Sequence, residues 1–322
     1  MKNIKLISII IAMLLITSVM VGCSSNKGTS SEGTTSSGEV QTNPDGTPVE
    51  GTTTGEEDTN TPGNTVTQLQ VTMNFTDSGC EISDTSAVEV SGKYYTVKKA
   101  GTYTITGTMA DGQIRVDIPK TEKATLLLNN FTGSCSDSAV IYVMNADEVY
   151  IDLEKNSVNT LTDGNSYVFE NPADDKPNAC IYSSDDLTIK GGGTLNVTGN
   201  YNNGIGCKND IDIKNGIVNV SAINNAVKGN DSITVRGDAV VNVLGGEDAL
   251  KSDETVKADK GFIHIIEEAK VTITCTDDAL QATQNVTITT GATLTVNAAS
   301  TDINCDGTIN VDDGCIINNA TV

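Results

Sequence analysis

The sequence predicts an all-β fold, a single-stranded parallel β-helix with coils of about 22–24 residues, and two observations carry that prediction. The first is a returning pair, a small residue and then an aliphatic one: Gly204-Ile205, Ala226-Val227, Ala249-Leu250, Ala279-Leu280 and, with Asp first, Asp302-Ile303. The aliphatic members stand 22, 23, 30 and 23 residues apart. The second is what fills each interval. Short alternating stretches flank a Gly turn, as in Ile211-Asp212-Ile213, Asn215-Gly216 and Ile217-Val218-Asn219-Val220, with no helical period. Leucine-rich repeats would show Leu spacing and an Asn ladder in a fixed frame, and propeller blades need about 40 residues. Stacked coils lie ~4.8 Å apart, so a side chain recurring at one register forms a ladder, and function is to be sought in ladders.

Residues 1–22 hold Lys2 and Lys5, the apolar run Leu6 to Val21, and then Gly22, the layout of a secretory leader. The following cysteine resembles the bacterial lipoprotein signal. That implies a lipid on Cys23, a membrane contact made only through that anchor, and a place on the extracellular face of the membrane. Residues 23–64 are rich in Ser, Thr, Gly, Glu and Pro and cannot bury enough apolar surface to offset ordering, so they read as a flexible tether. Residues 65–322 are the β-helix. Its earlier units, Ala139-Val140-Ile141 with Val149-Tyr150-Ile151 and Ile181 with Leu187-Thr188-Ile189, keep the pattern with insertions. After Cys315-Ile316-Ile317-Asn318-Asn319 no cap is legible, as in a domain incomplete at its C-terminus.

Composition narrows the function classes. With 42 acidic against 20 basic residues, a net charge of -22 and a pI near 4.2, the chain is not a phosphate-tracking nucleic-acid binder. Loss of the leader removes two lysines and no acid, leaving 18 basic against 42 acidic residues and a net charge of -24. The single His264, within Phe262-Ile263-His264-Ile265, reads as a strand side chain and supports neither a polyhistidine zinc site nor a Ser-His-Asp hydrolase. No Trp is present, so sugar contacts fall to Tyr, Asn, Asp, Lys or a metal. The expected partner is an extracellular polysaccharide, and the expected state is a monomer.

Two positions after each anchor come Cys207, Gly229, Ser252, Ala282 and Cys305, all small, which predicts a tight inward stack with the cysteines as small hydrophobes. Cys275 continues the inward series of Val271 and Ile273. Mostly free thiols are expected, and a Cys80 to Cys135 pair stays open.

Just before the anchors stand Asn202-Asn203, Asn224-Asn225, Glu247-Asp248 and Asp277-Asp278. A few residues after them come Asp210, Asp231 and Asp253, with Asp185-Asp186 in the preceding coil. Carboxylates stacked at ~4.8 Å repel unless solvated or neutralised, and oxygen donors from adjacent coils are what Ca²⁺ accepts. The competing reading is that Asn and Asp only close turns. One coil also carries an insertion from Lys251 to Lys260, either a ligand site or a solvated loop. The run Asp302 to Asp313 has EF-hand spacing and resembles a dockerin loop. Yet Ile303 and Cys305 fall in the repeat columns, and Ile309 and Val311 match Val286 and Ile288, so it reads as a coil.

The phrases Asn202-Asn203-Gly204-Ile205-Gly206-Cys207-Lys208-Asn209-Asp210, Asn224-Asn225-Ala226-Val227-Lys228-Gly229-Asn230-Asp231 and Glu247-Asp248-Ala249-Leu250-Lys251-Ser252-Asp253 resemble the clostridial polysaccharide-lyase-like carbohydrate-binding domain family. So does Ala100-Gly101-Thr102-Tyr103-Thr104-Ile105-Thr106-Gly107-Thr108, followed by Asp111-Gly112-Gln113-Ile114. The resemblance spans about residues 85 to 315. It implies a right-handed parallel β-helix on the cell surface that carries calcium and binds cellulose and pectic acids. Sugar contacts are expected from Tyr201, Lys208, Lys228 and Lys251. Calcium ligands are expected among Asp185, Asp186, Asp210, Asp231, Glu247, Asp248, Asp253, Asp277 and Asp278. Asn203 and Asn225 stand where the family has Asp, which weakens the sites of those two coils. The alternative is a calcium-dependent polyuronate lyase with Lys251, Lys228 or Arg236 as base, and the third reading is a structural surface solenoid.

Overall fold

One coil shows how the chain winds. Asn203–Cys207 lies on a first face, Asp210–Ile213 on a second and Ile217–Ala222 on a third, and Val227–Gly229 then opens the next coil on the first face. The computed structural model describes residues 68–320 apart from 170, 172, 174 and 299. The expected leader, Cys23 and the tether lie outside the described residues. Each strand of a coil bonds in parallel to the strand one coil away, which makes the chain a parallel β-helix with faces we call I, II and III in the order above.

The registers are those the spacing predicts. On face I, Ile205 pairs with Val227, and Leu250, Leu280 and Ile303 follow. Face II stacks Ile211, Ile233, Ile263 and Val286, and face III stacks Val218, Val241, Val271 and Leu294. All of these are essentially sealed from solvent. Branched side chains suit extended backbone, and each one buried stabilises the fold by about 1.5–3 kcal/mol, so identical columns repeat one favourable contact coil after coil. The small column is equally in register: Cys207 opposes Gly229, and Ser252, Ala282 and Cys305 follow one another. Room for it is tight, because a Cβ on Gly229 would collide with the carbonyl oxygen of Ser232. All seven described cysteines are free, so the Cys80–Cys135 bridge is not formed.

The N-terminal coils depart from the repeat. Hairpins Gln70–Thr76 with Gly79–Ile82 and Val88–Ser91 with Tyr94–Val97 are antiparallel, the antiparallel pairs among the described strands. The long strand Lys123–Cys135 serves two faces: its first half pairs with Glu148–Leu153 and its second with Val158–Asp163. Asn130 turns that corner with φ +52°. Near the other end, Ile303–Cys305 and Thr308–Val311 are strands, with Ile309 on Val286 and Val311 on Ile288. The EF-hand-like run is therefore a coil. His264 lies in strand Phe262–Ile265, stacked on Phe262 at 4.3 Å, where burial lowers its pKa.

Candidate functional site

On face I one residue per coil follows each buried anchor and points away from the core, Tyr182 there being covered to 4% exposure. In register these are Arg115, Tyr142, Tyr182, Gly206, Lys228, Lys251, Gln281 and Asn304. Lys228 and Lys251, expected from the sequence, are thus direct neighbours. Arg115, Tyr142 and Tyr182 were not expected, although they occupy the same slot after Ile114, Ile141 and Ile181.

The turn that enters face I carries a polar ladder. The backbone N–H and side-chain amide of Asn225 donate to Asn203 Oδ1 at 3.2 and 2.9 Å, and the N–H of Asp278 donates to Asp248 Oδ1 at 3.2 Å. Each such oxygen ties one coil to the next. With Asn in the slot the tie is neutral, whereas Asp248 and Asp278 bring charge to a buried turn. Together with the exposed Asp277 they offer three oxygens within 4.8 Å of one another. Among the described residues Lys251 answers them with an ion pair, donating to Asp248 Oδ2 at 2.8 Å. Three carboxylates and one ammonium leave a local surplus of negative charge. Asn304 donates to Asp278 Oδ2 at 2.6 Å, which fixes that carboxylate from the adjacent coil. Hard oxygen donors drawn from neighbouring coils could hold a metal ion, with water and backbone carbonyls completing its shell.

The other expected ligands are placed differently. Asp185 meets Lys120 at 2.7 Å, Asp210 meets Lys260 at 2.6 Å, Asp231 meets Lys257 at 2.6 Å and Asp253 meets Lys228 at 2.6 Å. Asp186 accepts from the N–H of Asp210 at 3.4 Å, and burial, with Asp210 and Glu148 adding to it, raises its pKa. Glu247 is exposed and outside the three-carboxylate group. Among these acids, Asp231 and Asp253 each keep one buried oxygen without a hydrogen bond.

Two of those lysines come from the insertion. Glu254 inside it accepts from the N–H groups of Val256 and Lys257 at 2.6 and 3.2 Å, and these bonds lower its pKa. Gly261, at φ +83°, closes the loop and donates to the Asp231 carbonyl at 2.6 Å. The loop is therefore an ordered strap that delivers Lys257 and Lys260 to the acids of two coils.

The remaining candidates separate. Lys208 is exposed beside a recess of about 210 Å³ over Gly206, which Lys176, Tyr182 and Lys228 also line. Tyr201 stacks on Tyr167 at 4.1 Å, off the face I column. Arg236 grips Asp212 with bonds of 2.6 to 3.1 Å at the corner between faces II and III. Those bonds push its pKa up, the opposite of what a base requires.

A family model described as a carbohydrate-binding domain-containing protein matches residues 91–321. The chain belongs to this carbohydrate-binding domain family. A protein of the same description from Acetivibrio thermocellus is 34% identical over 242 residues, 75% of this chain and 84% of that protein. A solved structure, the polysaccharide lyase-like protein from C. thermocellum as a gadolinium derivative, superposes with a TM-score of 0.74 at 37% identity. The match covers 78% of this carbohydrate-binding domain protein and all of the solved chain. It agrees with the parallel β-helix seen here.

Proposed function

We propose that face I binds an acidic plant cell-wall polysaccharide with Ca²⁺ as bridge, on a protein held at the cell surface through Cys23. The observation that carries this reading is the group Asp248, Asp277 and Asp278 standing beside the outward Lys228–Lys251 pair. A chain of net charge -22 repels a polyuronate, so attraction needs a cation that both can share. Calcium suits the donor set, since it takes six to eight oxygens at about 2.3–2.6 Å in flexible geometry. The gadolinium of the related structure is likewise a hard, oxygen-seeking ion, which supports the choice.

Lyase chemistry is the second reading, because Lys228 and Lys251 stand where a base beside a metal would act. Both ammonium groups already donate to carboxylates, at 2.6 and 2.8 Å. Retention of the full chain on polygalacturonate and on cellulose, with calcium or with chelator, tests both readings while absorbance of unsaturated uronates is followed. Calcium-dependent retention on polygalacturonate without product is expected. Product that disappears in Lys251→Ala would make the protein an enzyme. Retention on cellulose alone, unaffected by chelator, would overturn the acidic-ligand reading.

A further inference from the structure

Face III presents a surface of opposite character to the acidic turns of face I. Its strands Thr194–Gly199, Ile217–Ala222, Val240–Gly245 and Lys270–Cys275 stack in parallel, and every second residue points out. Those outward positions carry Thr, Asn, Ser, Ile, Val and Leu and a single charge, Lys270 at the start of its strand, on a chain of net charge -22. Between two outward columns runs a shallow, open trough of about 420 Å³. One wall is the column from Asn196 to Thr272 and the other the column from Thr198 to Thr274. The first wall is held in place by its own side chains: Asn219 Nδ2 donates to Asn196 Oδ1 and Asn242 Nδ2 to Asn219 Oδ1, each at 2.8 Å. An amide has two N–H groups and two lone pairs on its oxygen, so each Asn fixed in this way keeps hydrogen-bonding capacity for a ligand. On the second wall the hydroxyls of Thr198, Ser221 and Thr274 make no hydrogen bond among the described residues. Leu244 interrupts them with an aliphatic side chain 55% exposed, and Ile217, 41% exposed, stands beyond the first wall. From Asn196 to Thr272 the column climbs three coil steps, about 14 Å at the ~4.8 Å spacing.

We propose that face III is a metal-independent binding surface for an uncharged, extended glycan chain of β-1,4-linked pyranose units laid along the coil stack. Such a chain combines C–H faces with equatorial hydroxyls, and the trough answers both: Leu244 and Ile217 meet the first, the fixed amides and open hydroxyls the second. Hydroxyls that recur once per sugar suit groups that recur once per coil, since a pyranose unit in an extended chain is close in length to the ~4.8 Å coil spacing. Absence of charge argues against an acidic chain, which would find here neither a guanidinium nor a group of carboxylates able to hold a shared cation. Protein interfaces centre on aromatic side chains and arginine, and this surface has neither, whereas membership of a carbohydrate-binding domain family supports a sugar as its occupant. Amides already tied to one another lose little freedom on binding, and the waters of an open polar trough exchange for sugar hydroxyls at small cost. The assignment goes beyond the face I reading, because it needs neither calcium nor the Asp248 group.

Calorimetric titration of the full chain with cellohexaose in chelator tests the surface, because the Asp248 group is then without metal. Binding is expected, unchanged in Asp278→Asn and weakened about tenfold or more in Leu244→Asp and in Thr274→Asp. Both of the latter alter exposed side chains and should leave the melting temperature where it is. Maltohexaose, whose α-linkages curl the chain, should bind about tenfold more weakly than cellohexaose. No binding of cellohexaose, or equal affinity in the natural chain and in Leu244→Asp, would overturn the assignment. So would a dimer that Leu244→Asp dissociates while no glycan binds, which would give the face to a second copy of the chain. Calcium-dependent retention on polygalacturonate without cellohexaose binding keeps the face I reading and rejects this one, and cellohexaose binding without that retention does the reverse.

Discussion

The two halves of the coil stack share one strand geometry and differ in how far lysines answer their acids. In the N-terminal half, several carboxylates have lysine partners: Asp111, Asp117, Glu148 and Asp185 meet Lys93, Lys98, Lys123 and Lys120. Between them the face I column carries Arg115, Tyr142 and the buried Tyr182. From residue 261 onward the sequence holds eight acids, Glu267, Glu268, Asp277, Asp278, Asp302, Asp306, Asp312 and Asp313, and one lysine, Lys270. Identical strand geometry thus supports one end where lysines answer several of the acids and another where eight acids share a single lysine. The difference lies in the side chains of the turns, since the registers of the two halves follow the same rule.

The largest effect should come from supplying an external cation. A ligand at one hundred times its dissociation constant adds about 2.7 kcal/mol, which for a domain of this size raises the melting temperature by roughly 5–10 °C. Calcium titration followed by thermal unfolding should show such a rise in the natural chain, little of it in Asp278→Asn, and all of it in Arg115→Gln. A full rise in Asp278→Asn would place the ion elsewhere and break the contrast between the halves.

Next in size is the strap, where the C-terminal half supplies its own cations. Lys257 is half exposed while Asp231 is buried, with side-chain exposures of 50% and 5%. Removing the amine leaves a carboxylate without its partner, a loss that reaches several kcal/mol in a dry site and that screening at the exposed lysine reduces to about 1–2 kcal/mol. Urea unfolding of Lys257→Ala should show that loss in chelator and recover part of it in calcium, because Asp231 and Asp210 would then resemble the Asp248 group. A midpoint that does not move would mean the strap is tied down by Glu254 and Gly261 alone.

How much of this was legible follows from which distances a sequence encodes. The anchors Ile205, Val227, Leu250, Leu280 and Ile303 were readable because inward and outward positions alternate with the strand and recur with the coil. The acidic column was readable for the same reason. Which of its members converge was not, because lysines reach across 26 and 50 residues to Asp231 and Asp210, and nothing local marks the reach of a flexible side chain. Tyr142 and Tyr182 stayed hidden behind a broken period: Ile141 and Ile181 pair directly, yet the loop between them sets them 40 residues apart. Arg236 shows the converse, since it follows Asp231 closely in sequence and stands at another corner of the coil.

The smallest effect examines the closed half. Glu148 accepts from Lys123 Nζ at 2.8 Å, from the Tyr150 hydroxyl at 2.6 Å and from the Thr188 hydroxyl at 2.7 Å. Burial opposes ionisation, but these hydrogen bonds outweigh it and hold the pKa below the ordinary glutamate value. A carboxylate depressed in the folded state contributes stability that is complete above its unfolded pKa, about 4.3, and is lost as pH falls through the lower folded value. Glu148→Gln should therefore cost about 1 kcal/mol at pH 7, and the gap to the natural chain in urea midpoint should narrow as pH falls below about 4. A gap that stays constant from pH 7 to pH 3 would show that Gln fails by shape rather than by charge. The N-terminal half would then owe its closure to packing, and its contrast with the acidic end would no longer be electrostatic.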